Sequence, residues 1–341
     1  MLYIRADGNS TIGTGHIMRC LAIAEAVKTL GESVTFIVAD DNMSDVLAER
    51  GYQVVTLQSV WNNLNEEIEK LTSVIRALSI KLLLIDSYYV AHEYLQKIRD
   101  LTSVVYIDDL NAFHYPCDML INYNYFADML DYHTRYDGTS LLLGCQYAPL
   151  RQEFQNLPKK VFSQTVESVL ITTGGIDPYN TAGKLLVKVK ESQVLGHLEL
   201  HVIVGRFNRQ IEGLLSLERR FDSVFLHRDV KSISRLMLDC DIAVSAGGST
   251  LYELCACGTP TVTFALADNQ VDGVNSLGDG VMISAGDIRE NEDLCLDRIL
   301  AGLSSLISDF GLRCDMAERM QKLVDSQGAM RIAKSILEVV D

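Results

Sequence analysis

Short apolar runs without in-out alternation recur along the chain, each closing on a glycine turn or an acidic residue, and most followed by a segment of helical period. Strands of this kind are covered on both faces, which confines the chain to α/β folds built on parallel sheets. In the first half the runs fall at residues 2–5, 34–39, 52–57, 81–85, 103–107 and 119–121. Between them, helical spacing extends from Ile17 to a stop at Gly31, over 43–50 to Gly51, and over 92–101. Leu64, Ile68, Leu71, Ile75 and Leu78 mark one continuous amphipathic helix. Asp86, the pair Asp108 and Asp109, and Asn122 close strands, at the edge where open α/β sheets bind ligands.

The alternation lapses over 151–167, which carries Pro158, Lys159, Lys160, Ser163 and Gln164, and then resumes. Strands are expected at 169–172, 198–204, 224–226, 242–245 and 261–265, with helices at 181–191 and near Gln210 and Val230. A chain of 341 residues exceeds one typical core. We expect two Rossmann-like α/β domains, over 1–155 and 165–325, and a C-terminal helix over 326–341.

The first strand runs into Ile12-Gly13-Thr14-Gly15-His16-Ile17-Met18-Arg19, a glycine turn with a histidine at the mouth of a helix. Two glycines admit backbone angles that a Cβ forbids and let a ligand approach the N–H groups of the helix start, where the dipole favours an anion. A dinucleotide fingerprint needs a third glycine where Met18 stands, so its phosphate turn is incomplete even though Asp40 ends the next strand. Folding does not require His16, whose structural use would be a cap or a core hydrogen bond. Its functional use is as a general base.

The second half has two further glycine turns after apolar strands: Gly174-Gly175-Ile176-Asp177, and Gly247-Gly248-Ser249-Thr250. Neither is a Walker A loop, since no Gly-Lys-Ser/Thr follows, but their bare amides suit a diphosphate. Glu253 lies one helical step beyond Ser249 and Thr250, where its carboxylate can accept both hydroxyls of a ribose. Asn269 and Gln270 follow the strand at 261–265 with amides able to donate to and accept from sugar hydroxyls or phosphates.

A net charge of −15 argues against nucleic acid or an anionic membrane as the main partner. No apolar run approaches the ~20 residues that span a bilayer, and the start lacks the pattern of a signal peptide, so a cytoplasmic protein is expected. The eight cysteines are scattered among apolar neighbours and read as buried thiols. Cys255 and Cys257 have no second ligand pair at zinc spacing, and no metal site is expected.

Taken together, Arg5-Ala6-Asp7, the turn from Ile12 to Leu21, Gly174 to Asp177, Ala246 to Glu253, and Asn269-Gln270 resemble the nucleotide-sugar hydrolases of pseudaminic acid biosynthesis, also labelled spore-coat polysaccharide proteins. Supporting stretches include Asp86-Ser87-Tyr88, Ile107 to Leu110 and Leu150 to Phe154, so the resemblance spans nearly the whole chain. It departs at Cys145-Gln146, where the family has a proline-bearing segment, and over Leu277 to Asp287, which does not align with the family. The resemblance implies a GT-B-like fold, two Rossmann-like domains facing across a cleft, similar to the glycosyltransferases that build peptidoglycan lipid precursors. It implies UDP-2,4-diacetamido-2,4,6-trideoxy-β-L-altrose as substrate, cleaved to free sugar and UDP without metal or cofactor. His16 would be the base on water, with Tyr88 and Asn269 lining the sugar pocket. Asp7, Gly13, Thr14, Gly15 and Arg19 would touch substrate from the first domain. Gly174, Gly175, Asp177, Gly247, Gly248, Ser249, Thr250, Glu253 and Gln270 would do so from the second. A glycosyltransferase with an acceptor site and a non-catalytic nucleotide-sugar binder are the competing readings, and the sequence leaves the oligomeric state open.

Overall fold

In the computed structural model, which describes residues 1–339, every apolar run above forms a strand, and both sheets are parallel throughout. The elements of the first half are β1 (Leu2–Ala6), α1 (Gly15–Thr29), β2 (Val34–Val38), α2 (Ser44–Glu49), β3 (Gln53–Thr56), α3 (Ile68–Ala77), β4 (Leu82–Asp86), α4 (His92–Arg99), β5 (Ser103–Ile107), β6 (Met119–Asn122), α5 (Tyr132–Arg135) and β7 (Ser140–Leu143). Those of the second are β8 (Ser168–Thr172), α6 (Thr181–Glu191), β9 (Glu199–Ile203), α7 (Ile211–Arg220), β10 (Val224–His227), α8 (Ile233–Asp239), β11 (Ile242–Ala246), α9 (Thr250–Cys257), β12 (Thr261–Ala265), α10 (Asp268–Gly278), β13 (Ile283–Asp287), α11 (Glu292–Ser308), α12 (Phe310–Leu323) and α13 (Gly328–Glu338).

The chain divides into two compact units, one of Met1–Asn9, Thr14–Gln152 and the segment from Ser326, the other of Ser10–Gly13 and Glu153–Asp325. The first holds a seven-stranded sheet in the order β3-β2-β1-β4-β5-β6-β7, the second a six-stranded sheet in the order β10-β9-β8-β11-β12-β13. Each is a doubly wound sheet whose strand order reverses once, between β1 and β4 in the first unit and between β8 and β11 in the second. Ligands of such sheets bind at the carboxyl ends of the strands flanking that reversal.

β1, β2 and β4 are buried along their whole length, as strands covered on both faces must be. The edge strands β7 and β13 have no counterpart in the sequence reading: β7 opens on an exposed Ser140, and β13 contains Gly286 and a register shift against β12. The helix expected from Leu64 to Leu78 is split into a 3₁₀ turn, Leu64–Glu67, and α3. The break turns the Glu67 carboxylate inward, where Arg5 donates Nε to Oε1 at 2.7 Å and Nη2 to Oε2 at 2.8 Å.

The helix expected over 326–341 is α13, which packs against α1 in the first unit; residues 340 and 341 lie outside the described residues. At its start Gly328 is obligatory, since a Cβ there would sit 2.2 Å from the Ala148 carbonyl oxygen. Arg331 donates Nη1 to the Gln146 carbonyl at 2.8 Å, so the segment that departs from the family pattern is tied down by α13.

Candidate active site

In the first unit His16 lies in the first turn of α1, the helix that follows β1, and the residue that ends β4 is Asp86, paired in register with Ala6 of β1. The two strands at the reversal therefore each deliver one polar group to the same edge. Gly13 has a φ of +74°, which only glycine adopts without strain, and α1 opens at Gly15 with Thr14 as its N-cap. An ideal Cβ on Gly15 would meet nothing within 4 Å, so the start of α1 is open above that backbone.

His16 Nδ1 lies 2.6 Å from Asp86 Oδ1. A carboxylate only accepts, so this bond requires hydrogen on Nδ1 and leaves the lone pair of the neutral ring on Nε2. Arg19, one helical turn along α1, donates Nε to Asp86 Oδ2 at 2.7 Å and Nη2 to Oδ1 at 2.6 Å. Its Nη1 reaches Asp109 Oδ2 at 2.8 Å and the Tyr123 hydroxyl at 2.9 Å. Tyr88 packs edge-on against the imidazole, ring centroids 4.6 Å apart, and donates its hydroxyl to Asp109 Oδ2 at 2.8 Å.

Burial opposes ionisation of Asp86, but the charges of Arg19 and His16 outweigh it and hold the carboxyl well below the usual carboxylate range. For Tyr88, burial and the neighbouring Asp109 charge act together and push the phenol well above its ordinary value. Tyr88 is therefore a neutral phenol whose proton is engaged by Asp109. A histidine with its Nδ1 proton fixed by a buried carboxylate is equipped to act as a general base through Nε2.

Arg19 and Asp7, assigned above to substrate contact, are turned into the fold. Arg19 gives its N–H groups to Asp86, Asp109 and Tyr123, so it organises carboxylates. Asp7 Oδ2 accepts from Arg5 Nη1 at 2.6 Å and its Oδ1 from the Ala39 N–H at 2.8 Å. Arg5, 0 % exposed, is held between Asp7 and Glu67, and Glu67 also accepts from Tyr94 at 2.9 Å and Ser59 at 2.7 Å.

In the second unit the strands at the reversal are β8 and β11, paired at Thr172 and Ser245. Gly174-Gly175 follows the first and Gly247 to Thr250 the second, so both glycine turns share one edge. Gly174 has φ +78° and Gly248 φ +154°, and a Cβ on either would meet nothing within 4 Å. Both present backbone that a ligand can approach. Gly247 is a glycine for packing: its Cβ would lie 2.7 Å from Val274 Cγ2 and 2.9 Å from Gln270 Cβ. Ser249 is the N-cap of α9, with Thr250 first in the helix and a half-buried Glu253 in its first turn. Asn269 is exposed in the first turn of α10, at the carboxyl end of β12.

Two residues assigned to UDP above work on the backbone. Asp177 accepts from the Thr181 and Ala182 N–H groups, both at 2.9 Å, and so caps α6. Gln270 Oε1 accepts from the Leu266 N–H at 2.8 Å and closes the turn after β12.

The residues that frame these turns carry no motif of their own in the sequence. Gly205 packs under the first one, where a Cβ would lie 2.2 Å from the Gly174 carbonyl oxygen, and the Phe207 N–H donates to the Gly175 carbonyl at 3.1 Å. Beside them, Arg206, Asn208, Arg228 and Asp229 line a depression of about 410 Å³. The signal was present in the arginines that follow β9 and β10, but a lone arginine after a strand does not by itself mark a site. In the first unit, Asp109 was legible only as an acidic residue at a strand end, and Tyr123 and Asn124, just past the strand that Asn122 closes, were not singled out. Among the described residues no group of three or more His, Cys, Asp or Glu side chains is placed to hold a metal, and no helix is long and apolar enough to cross a membrane.

No protein-family model matches the chain. Among curated proteins it is similar to an uncharacterized protein of Methanocaldococcus jannaschii, 23% identical over 272 residues that cover 76% of this chain; the chain spans only 54% of that relative's length. The spore coat polysaccharide biosynthesis protein SpsG of Bacillus subtilis is 22% identical over 343 residues, 99% of this chain and 98% of the relative. The UDP-2,4-diacetamido-2,4,6-trideoxy-beta-L-altropyranose hydrolase of Campylobacter jejuni is 25% identical over 252 residues, 73% of this chain and 85% of the relative. These homologues agree with the resemblance read from the motifs. Among solved structures, MurG of Acinetobacter baumannii superposes with a TM-score of 0.66 at 14% identity, covering 99% of both chains. The glycotransferase of kitacinnamycin gives 0.67 at 15% identity over 100% of this chain and 99% of that one. The fold is thus that of the GT-B glycosyltransferases.

Proposed function

We propose that the chain hydrolyses a UDP-linked sugar, UDP-2,4-diacetamido-2,4,6-trideoxy-β-L-altrose or a close relative, in the biosynthesis of a nonulosonic acid or a spore-coat polysaccharide. The observation that carries the reading is the 2.6 Å contact of His16 Nδ1 with Asp86, which leaves Nε2 as the basic atom beside an open helix start. The names of the Campylobacter and Bacillus homologues support the substrate class.

In this scheme His16 Nε2 takes a proton from water as the water oxygen bonds to the anomeric carbon. The bond from that carbon to the β-phosphate oxygen breaks, UDP leaves with the electron pair, and the imidazolium later returns its proton to solvent. UDP is a stabilised anion, so its departure needs no general acid. The amides around Gly174-Gly175 and Gly248 to Thr250 absorb the developing charge, with Arg206 and Arg228 near the first turn. Glu253 accepts from the ribose hydroxyls, and Tyr88 and Asn269 line the sugar pocket. No step requires a metal or cofactor, and the expected place of work is the cytoplasm.

The same fold serves glycosyltransferases, so the deciding experiment is UDP release from the UDP-sugar in water, with and without candidate acceptors. Release at full rate without acceptor, lost by about 10²- to 10⁴-fold in His16→Gln with UDP affinity intact, is the expected result. Turnover only with an acceptor would assign a transferase, and UDP-sugar binding without turnover a binding protein.

A further inference from the structure

The buried cluster around His16 holds two carboxylates and one guanidinium. Asp86 takes four donors: His16 Nδ1 and Arg19 Nη2 on Oδ1, Arg19 Nε on Oδ2, and the Cys20 thiol at 3.5 Å, also on Oδ2. Asp109 takes three: Arg19 Nη1 and the Tyr88 hydroxyl on Oδ2, and Asn124 Nδ2 on Oδ1 at 2.8 Å. Every one of these partners donates, which is the arrangement two ionised carboxylates require. With a neutral imidazole the cluster carries one excess negative charge; with an imidazolium it is balanced.

Arg19 presents a difficulty that Asp109 resolves. The guanidinium grips Asp86, yet its Nη2 also lies 3.2 Å from His16 Nδ1, where an uncompensated cation would oppose protonation of the ring. Asp109 neutralises the other end of the same guanidinium. Because the cluster is buried, its charges are weakly screened.

We propose that Asp109 is a positioning residue whose charge, conveyed through Arg19 and Tyr88, stabilises the His16 imidazolium formed as water is deprotonated. The inference rests on the reading of His16 as the base. Within the first unit the charged or titratable groups facing this cluster are His16, Arg19 and Cys20 from α1, Asp86 from β4 and Tyr88 just after it, Tyr106 from β5 with Asp108 and Asp109 after it, and Tyr123 after β6. Burial, reinforced by Asp86 or Asp109, pushes the Cys20 thiol and the Tyr88 and Tyr123 phenols up, so none of them ionises near neutrality.

The test is an NMR titration of the His16 imidazole, its resonance assigned by its loss in His16→Gln, alongside the pH profile of kcat. Asp109→Asn is expected to lower the His16 midpoint by about one unit and to move the acid limb of kcat with it, while Asp109→Glu restores both. Tyr88→Phe removes a donor from Asp109 without touching its charge and is expected to move the midpoint the other way, by a few tenths of a unit; it serves even if Asp109→Asn does not fold. A midpoint unmoved in either folded variant overturns the proposal. His16→Gln that hydrolyses like the wild type would instead overturn the assignment of the base, so the two failures are distinguishable.

Discussion

Arg19 and Asp86 meet through two parallel hydrogen bonds, 2.7 and 2.6 Å, so the carboxylate that fixes His16 is itself held against rotation. The pair comes from the helix after β1 and the last residue of β4, the two strands at which the first sheet reverses its order. Asp86→Asn keeps the shape of the side chain but can offer His16 Nδ1 an amide donor in place of an acceptor, which favours the wrong tautomer. The expected outcome is a fall in kcat of up to about 10⁴-fold, as for other orienting carboxylates. UDP affinity, assigned to the second unit, should be unchanged by calorimetry.

The same ion pair should leave a mark on acid stability. The folded-state value of Asp86 is depressed, so its contribution is fully present above its unfolded value of about 3.9 and is lost as pH falls toward the folded value. Asp7 and Asp108 run the other way, because burial raises them. Comparison with Asp86→Asn isolates the depressed group. In urea unfolding the wild type should exceed the variant, and the margin, about 3–5 kcal/mol for a broken buried pair, should shrink as pH falls from about 4.5. A margin that grew below about pH 4.5 would contradict the ion pair.

The strands were legible because parallel strands buried on both faces leave unbroken apolar runs that few other structures produce. The His16 turn was legible because its glycines and histidine are adjacent in sequence. Arg5 was not: it sits in an apolar run, and its partner Glu67 lies 62 residues away inside what reads as a helix. The roles of Asp86 and Asp109 were hidden for the same reason, since only the order of the strands brings them to Arg19. Asp177 and Gln270 show the converse limit. Asp177 follows a glycine turn and Gln270 the end of β12, positions that read as a ligand edge, but one side chain caps a helix and the other closes a turn.

Gly15 separates stability from ligand approach. It is the first residue of α1, its φ is not positive, and an added methyl meets nothing within 4 Å. Gly15→Ala should therefore leave stability unchanged or raise it by about 0.4–1 kcal/mol through the unfolded state. If substrate approaches this backbone, the same methyl raises KM several-fold. Denaturant unfolding and steady-state kinetics on one preparation check both halves; a fully active variant would remove the start of α1 from the substrate site.

Glu253 tests the nucleotide side. It lies in the first turn of α9, at the edge shared by the two glycine turns, and is half-buried. Glu253→Ala should weaken UDP binding by about 1.5–3 kcal/mol, the usual worth of a hydrogen bond to a charged group, with the fold intact by circular dichroism. Calorimetry showing the wild-type affinity in a folded variant would take the ribose away from this carboxylate.

Which bond breaks is fixed in the proposed reaction by the separate tasks given to the base and to the amides. His16 Nε2 is the atom proposed as base in the first unit, and the open backbone at Gly174 and Gly248 lies at the reversal of the second sheet, where in the proposed reaction it would shield and neutralise phosphate. Water activated by His16 should therefore attack the anomeric carbon and not phosphorus, and its oxygen should end in the sugar. Turnover in ¹⁸O-labelled water is expected to give labelled free sugar and unlabelled UDP by mass spectrometry, after correction for slow exchange at the anomeric hydroxyl of the product. The residual hydrolysis of His16→Gln should show the same partition at a lower rate, because the amides that protect the phosphate remain. Label in UDP would place the attack at phosphorus and would leave the His16 and Asp86 pair without the reaction its geometry has been matched to.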